Sequence, residues 1–158
     1  HGTAFQFLRS THTVIGSDVS LPMVQVAAAQ GPVVVQEALA LPFADGAFDA
    51  AFAFCVYHHI DVEQRVTHLR ELRRVVRPGG VVAVFEHNPF NPVTRVIFNR
   101  APVDQGCEMI RPSALRRLFS DAGLVDLHEV HQFLIPVDPD LVVLEPATDR
   151  DGGPGHRT

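Results

Sequence analysis

Lysine and tryptophan are absent from this 158-residue chain, tyrosine occurs once and cysteine twice. Two cysteines, Cys55 and Cys107, cannot build the disulfide framework of a small secreted domain, and neither lies in a CxxC pair or at zinc-finger spacing from a histidine. A reducing, cytoplasmic setting is the expectation. Long hydrophobic runs are missing as well: the longest, Ala50 to Tyr57, follows Asp49 and falls far short of the ~20 apolar residues that cross a bilayer. No membrane partner is expected. Positive charge is scarce, with 13 basic against 18 acidic side chains and a formal net charge of -5. A surface that follows a phosphate backbone needs the opposite sign, so no nucleic acid is expected as a partner. The beginning of the chain, from His1, has neither the charged leader nor the apolar stretch of a targeting peptide.

What is present is the material of one globular domain, 46% hydrophobic and 20% charged. Phe5 and Leu8 suit a short helix over Thr3 to Arg9, and the run Thr13 to Gly16 reads as a strand ending at Asp18. Ser20 stands where a helix through Met23 and Val24 to Ala29 would be capped, with Gly31-Pro32 as its stop. Val33 to Val35 and Phe48 to Tyr57 are apolar enough for buried strands. Pro42 and Asp45-Gly46 supply the turn between them. Val62, Val66, Leu69, Leu72 and Val76 recur at helical spacing behind Asp61 and Gln64, and Pro78-Gly79-Gly80 stops that helix before the strand Val81 to Phe85. A further helix spans Ser113 to Ala122, and strand material fills Leu124 to Ile135. The reading is one domain over residues 1–146 with a polar, disordered tail over 147–158.

Helices alternating with short, continuously apolar strands predict a doubly wound, mostly parallel α/β sheet with helices on both faces. Such sheets bind ligands at the carboxyl ends of their strands. The residues placed there are Asp18, Glu37 with Ala38, Cys55 to His59, and Glu86 to Asn88. A carboxylate at the position of Asp18 can accept hydrogen bonds from the two hydroxyls of a ribose, in nicotinamide dinucleotides and S-adenosylmethionine alike, or can serve only to cap the helix that follows. His58, His59 and His87 are candidate bases on the same side of the sheet. On an extended chain His58 and His59 point opposite ways, so one of them at most would face a ligand. Adjacent histidines also bite a metal poorly and no HExxH helix exists, so no metal site is expected.

Asp18-Val19-Ser20 with Met23, Leu41-Pro42-Phe43, Asp45-Gly46, Phe48-Asp49 and Arg77-Pro78-Gly79-Gly80 follow one another in an order that resembles the class I S-adenosylmethionine-dependent methyltransferases, in the small-molecule branch related to the ubiquinone and sterol C-methyltransferases. The resemblance covers His1 to about Phe133. It implies a Rossmann-like methyltransferase fold whose first strand and most of whose glycine loop are missing, Gly2 being the last part of that loop and the chain an amino-terminally truncated piece. It implies that Asp18 holds the ribose of S-adenosyl-L-methionine, that Val19 and Met23 lie against the adenine, that Glu37 and Ala38 meet its edge, and that Cys55 borders the methionine moiety. It favours His59 over His58; the catalytic base would be His59 or, from its place after the next strand, His87, the alternative for both being structural hydrogen bonding. Thr94 to Met109 would form a cap over the acceptor.

The reaction so implied is methyl transfer to the oxygen or carbon of a small or medium organic acceptor. In such an in-line displacement the cofactor carries the activated carbon and the protein mainly aligns the reactants. Asn88 and Asn91, in Asn88-Pro89-Phe90-Asn91-Pro92, are either acceptor ligands or turn formers. Two other readings remain open: a catalytically inactive scaffold of the same fold, and an NAD-dependent oxidoreductase. The latter shares Asp18 but leaves the Leu-Pro-Phe and Pro-Gly-Gly pieces without a role.

Overall fold

The computed structural model describes Arg9, residues 12–37 and 39–125, and the backbone of residues 127–129 and 140–144. The predicted helix over Thr3 to Arg9 and the predicted tail therefore lie outside the described residues, apart from Arg9. The chain divides into two compact units, His1–Pro42 and Phe43–Thr158.

In the first unit, strand β1 (Gly16–Asp18), helix α1 (Leu21–Ala27) and strand β2 (Val33–Val35) form one β-α-β crossover. The two strands run parallel with Asp18 opposite Val35. Val24 is the buried residue of α1. Ser20 occupies the helix-capping position, but its side chain makes no capping bond. Its backbone N–H donates to Asp18 Oδ1 at 2.8 Å instead, so the turn is closed by the aspartate.

The second unit holds a four-stranded sheet in which Phe48–Phe54, Val76–Glu86, Asp140–Leu144 and Leu127–Glu129 lie side by side in that order. β3 (Phe48–Phe54) and β4 (Val76–Glu86) are parallel, and β6 (Asp140–Leu144) and β5 (Leu127–Glu129) add antiparallel pairs at the far side. Helix α2 (Arg65–Val75) connects β3 to β4, while α3 (Pro92–Arg100) and α4 (Pro112–Asp121) follow β4. The expected α/β class is found, with parallel β-α-β units and an antiparallel end. Among the described residues β1 and β3 each pair with a neighbouring strand on one side only. No helix of the described residues is long and apolar enough to cross a membrane.

The core follows from the helical period. His68, Leu69, Leu72 and Val75 are the buried residues of α2, and Leu115 and Phe119 those of α4. Val82, Ala83 and Val84 of β4 are all buried, as befits a strand covered on both faces. Each large side chain so buried contributes roughly 1.5 to 3 kcal/mol.

Helix α2 begins later and ends earlier than its pattern predicts. A 3-10 turn at Val62–Gln64 leads into it and Asp61 makes no side-chain cap. Val76 is already extended, at φ -90 and ψ 133, and Pro78 two residues on has no N–H with which to continue the helix. Arg77 to Gly80 then bulge out of β4, since the register steps from Phe48 opposite Val76 to Ala50 opposite Val81. Gly80 is required there: a Cβ would meet the Val76 side chain and lie 2.5 Å from the Asp49 carbonyl oxygen. The loop before β3 is tied to α2 by Arg74, which donates to Phe43 O at 2.8 Å, to Asp45 at 2.7 Å and to both Glu71 oxygens.

Candidate functional site

Two clusters form at the carboxyl ends of strands, one in each unit. In the first, the ends of β1 and β2 lie side by side, and Gln36 N–H donates to Asp18 O at 3.1 Å. Asp18 is half-buried and Glu37, just past β2, is exposed. Val19 and Met23 present exposed apolar side chains beside them. Asp18 thus closes the turn ahead of α1, caps no amide of the helix itself, and keeps a second carboxylate oxygen, Oδ2, that engages no partner among the described residues. Gly2 and Ala38, also expected at this site, lie outside the described residues.

The second cluster grows from the end of β3. Cys55 N–H still donates to Phe85 O at 2.7 Å, but Cys55 then adopts a left-handed backbone at φ 50 and the chain leaves the sheet. It enters a 3-10 turn at Tyr57–His59 rather than the continued strand that the apolar run to Tyr57 predicts. Tyr57 becomes the pivot of this turn. Its ring is fully buried and its hydroxyl lies 2.8 Å from His68 Nδ1 on α2. Burial first, and the charge of Glu86 second, push its phenol up and keep it protonated.

Glu86, buried at the end of β4, organises the rest. One of its oxygens accepts the Tyr57 N–H and the other His58 Nδ1, each at 2.7 Å. Sequence periodicity had no way to assign Glu86 this part. Burial alone lowers the affinity of His58 for a proton, but the hydrogen bond and charge of Glu86, with Asp104 beyond, outweigh it and raise the pKa.

His58 Nε2 and His59 Nε2 each lie 3.4 Å from Oδ1 of Asp104, which ends the 3-10 turn Pro102–Asp104. The expectation that the adjacent histidines point opposite ways is therefore corrected. It assumed an extended chain, whereas the tight turn brings both rings within 4.1 Å, centroid to centroid, and onto one carboxylate. His59 remains the accessible one, with its side chain 37% exposed and Nδ1 3.3 Å from Cys107 Sγ. His87 packs against His58 and Phe98.

The two asparagines are turn formers. Asn88 Oδ1 accepts the Phe90 N–H at 2.9 Å, and Asn91 Oδ1 caps α3 by accepting from Val93 and Thr94. Both are buried, which leaves the acceptor-ligand alternative without support. The stretch expected as a cap, Thr94 to Met109, carries α3 and the turn bearing Asp104 and Cys107.

Parallel β-α-β units with an acidic residue closing β1 and polar side chains gathered beyond the strand ends define a Rossmann-like fold of the methyltransferase type. The family described as "Methyltransferase domain" matches residues 1–84, more than half of the chain. The chain belongs to that family. Among solved structures it is similar to a SAM-dependent methyltransferase from Archaeoglobus fulgidus, with a TM-score of 0.74 and 14% identity over 91% of this chain and 81% of that one. Among curated relatives, a tRNA (carboxymethyluridine(34)-5-O)-methyltransferase of Arabidopsis thaliana is 39% identical over 72 residues, 44% of this chain and 18% of that protein. A demethylmenaquinone methyltransferase of Thermus thermophilus is 39% identical over 100 residues, 55% of this chain and 44% of that protein. The chain spans less than half the length of these two relatives. The relatives overturn the expectation of a small-molecule acceptor with nucleic acid excluded, since some are named for action on tRNA. Net charge misled because it sums over a whole surface and carries no information about a local patch or about a partner's other segments.

Proposed function

We propose that this chain is the cofactor-binding and acceptor-binding part of an S-adenosylmethionine-dependent methyltransferase that delivers its methyl group to an oxygen or carbon atom. The observation that carries the proposal is Asp18, a carboxylate at the end of β1 with one oxygen closing the turn to Ser20 and the other left for a ligand. That suits a ribose hydroxyl, and the exposed Val19 and Met23 beside it suit the face of an adenine. Glu37 accepts at the adenine edge. When bound, S-adenosylmethionine supplies an activated methyl carbon with a good leaving group. The protein's own part is alignment. Of the adjacent histidines, His59 is the one an acceptor can reach, because its ring is partly exposed while Asp104 and Cys107 hold it; the half-buried His87 is the other candidate base.

Calorimetric titration with S-adenosylmethionine tests the cofactor, with NAD as the control. Asp18→Asn keeps the oxygen that accepts the Ser20 N–H but removes the charge, and should weaken binding by one charge-assisted hydrogen bond, about 1.5 to 3 kcal/mol or roughly tenfold to a hundredfold. Unchanged affinity in Asp18→Asn removes Asp18 from the site. Methyl-labelled cofactor offered with tRNA in one arm and a demethylated quinol in the other then identifies the acceptor class.

A further inference from the structure

The side chains at the end of β4 and on the Pro102–Asp104 turn bring together a constellation that alignment of a methyl donor does not require. One ligand atom each from His58, His87 and Asp104 lies within 4.8 Å of the others. From this geometry we infer that His58, His87 and Asp104 form a binding site for a divalent transition-metal ion of the zinc class, with coordination left open for an oxygen ligand.

Three features of the cluster carry the inference. The first is spacing. Two ligands at ~2.0 to 2.2 Å from a tetrahedral zinc ion stand roughly 3.3 to 3.6 Å apart. His58 Nε2 and Asp104 Oδ1 are 3.4 Å apart, which matches that edge and is longer than the ~2.7 to 2.9 Å of a charge-assisted hydrogen bond. The second is orientation. His58 Nδ1 is bound to the buried carboxylate of Glu86 at 2.7 Å, which fixes the ring and turns Nε2 toward Asp104. A ligating histidine held by a carboxylate on its other nitrogen is the usual outer support of a zinc site. The third is composition: two imidazoles and one carboxylate are the donors of an open site, whose remaining positions go to water or to a bound oxygen.

His59 Nε2 also reaches Asp104 Oδ1 at 3.4 Å, so the second histidine borders the ion. The sequence expectation of no metal weighed the adjacent His58 and His59 alone. The fold adds His87 from beyond β4 and Asp104 from a turn 46 positions past His58. Ion binding is independent of whether the chain methylates an oxygen or a carbon, so it can be measured apart from transfer.

The test is titration of the whole chain with Co2+ at pH 7.5, read by visible ligand-field absorption, followed by displacement with Zn2+ and X-ray absorption of the zinc-loaded protein. The expected result is one equivalent of Co2+ with the intense bands of four- or five-coordination, and a zinc spectrum with two imidazoles. Asp104→Asn and His87→Gln, close to the natural side chains in size, should each weaken Co2+ binding by at least a hundredfold. Glu86→Gln should weaken it tenfold to a hundredfold through loosened orientation of His58. Only six-coordinate, weakly absorbing Co2+ in the unaltered chain overturns the inference without recourse to any variant. Equal affinity in folded Asp104→Asn and His87→Gln, with circular dichroism unchanged, assigns the ion to surface histidines and overturns it as well.

Discussion

Removing the Glu86 carboxylate should be the most damaging single change in the second unit. Glu86 is 5% exposed and serves two buried partners, the Tyr57 amide and the His58 ring, at 2.7 Å each. In Glu86→Ala both lose their acceptor where water cannot replace it. An abandoned buried donor costs about 1 to 3 kcal/mol, and deleting one partner of a buried charged pair about 3 to 5 kcal/mol. These figures describe the same loss, so about 3 to 5 kcal/mol is the expected total rather than their sum. Glu86→Gln keeps an oxygen for the Tyr57 amide and weakens only the bond to His58, for about 1 to 2 kcal/mol. With a urea slope of about 2 kcal/mol per molar, the alanine variant should unfold about 1.5 to 2.5 M earlier and the glutamine variant about 0.5 to 1 M earlier. Tyr57 is the only tyrosine and tryptophan is absent, so tyrosine fluorescence reports this cluster directly and circular dichroism reports the whole chain. An alanine variant unfolding within 0.5 M of the unaltered chain, at equal slope, would refute the view that Glu86 organises the turn.

Gly80→Ala forces a methyl group against Val76 and the Asp49 carbonyl, and should lower stability by about 1 to 3 kcal/mol in the same urea assay; no change would mean that the bulge relaxes freely. His68 is buried beside the Tyr57 hydroxyl, with Glu71 the nearby charge, and burial lowers its pKa against the weaker raising effect of Glu71. A histidine with a depressed folded pKa contributes full stability above its unfolded value of about 6.5 and loses it as pH falls toward the folded value. His68→Gln should therefore show a shallower fall in urea midpoint between pH 6.5 and 5 than the unaltered chain, and parallel curves would remove His68 from the pH dependence. Arg74→Ala should speed amide exchange in Phe43 to Gly46, which Arg74 holds through its guanidinium and its carbonyl, while the thermal midpoint moves little. Unaltered exchange there would show that the loop holds without it.

The fold class was legible because its signals are local. Val33 to Val35, the apolar face of α2 and the apolar run after Gly80 each announce an element within a few residues of chain. Boundaries were less legible where two local preferences compete: Pro78 ends α2 sooner than its apolar period suggests, and Cys55 ends β3 although Val56 and Tyr57 are good strand residues. The candidate site was legible in its strand-end positions and illegible in its connections. His59 and His87 could be placed past their strands, but Glu86 and Asp104 gain their meaning only from partners 28 and 46 positions away. An acidic residue at a strand end carries no signal of burial, and Asp104 sits in a stretch expected as a cap, within which nothing local singles it out.

The left-handed backbone at Cys55 constrains anyone redesigning this protein. The extended backbone of the strand up to Phe54 accommodates branching at Cβ, which is the worst choice one residue later, where Cβ crowds its own carbonyl. A library aimed at the acceptor side should carry glycine, asparagine or aspartate at position 55 and leave valine and isoleucine out. The residues whose chemistry invites alteration, His58 and His59, hang from that single bend, so a designer who alters the bend moves both imidazoles before touching either.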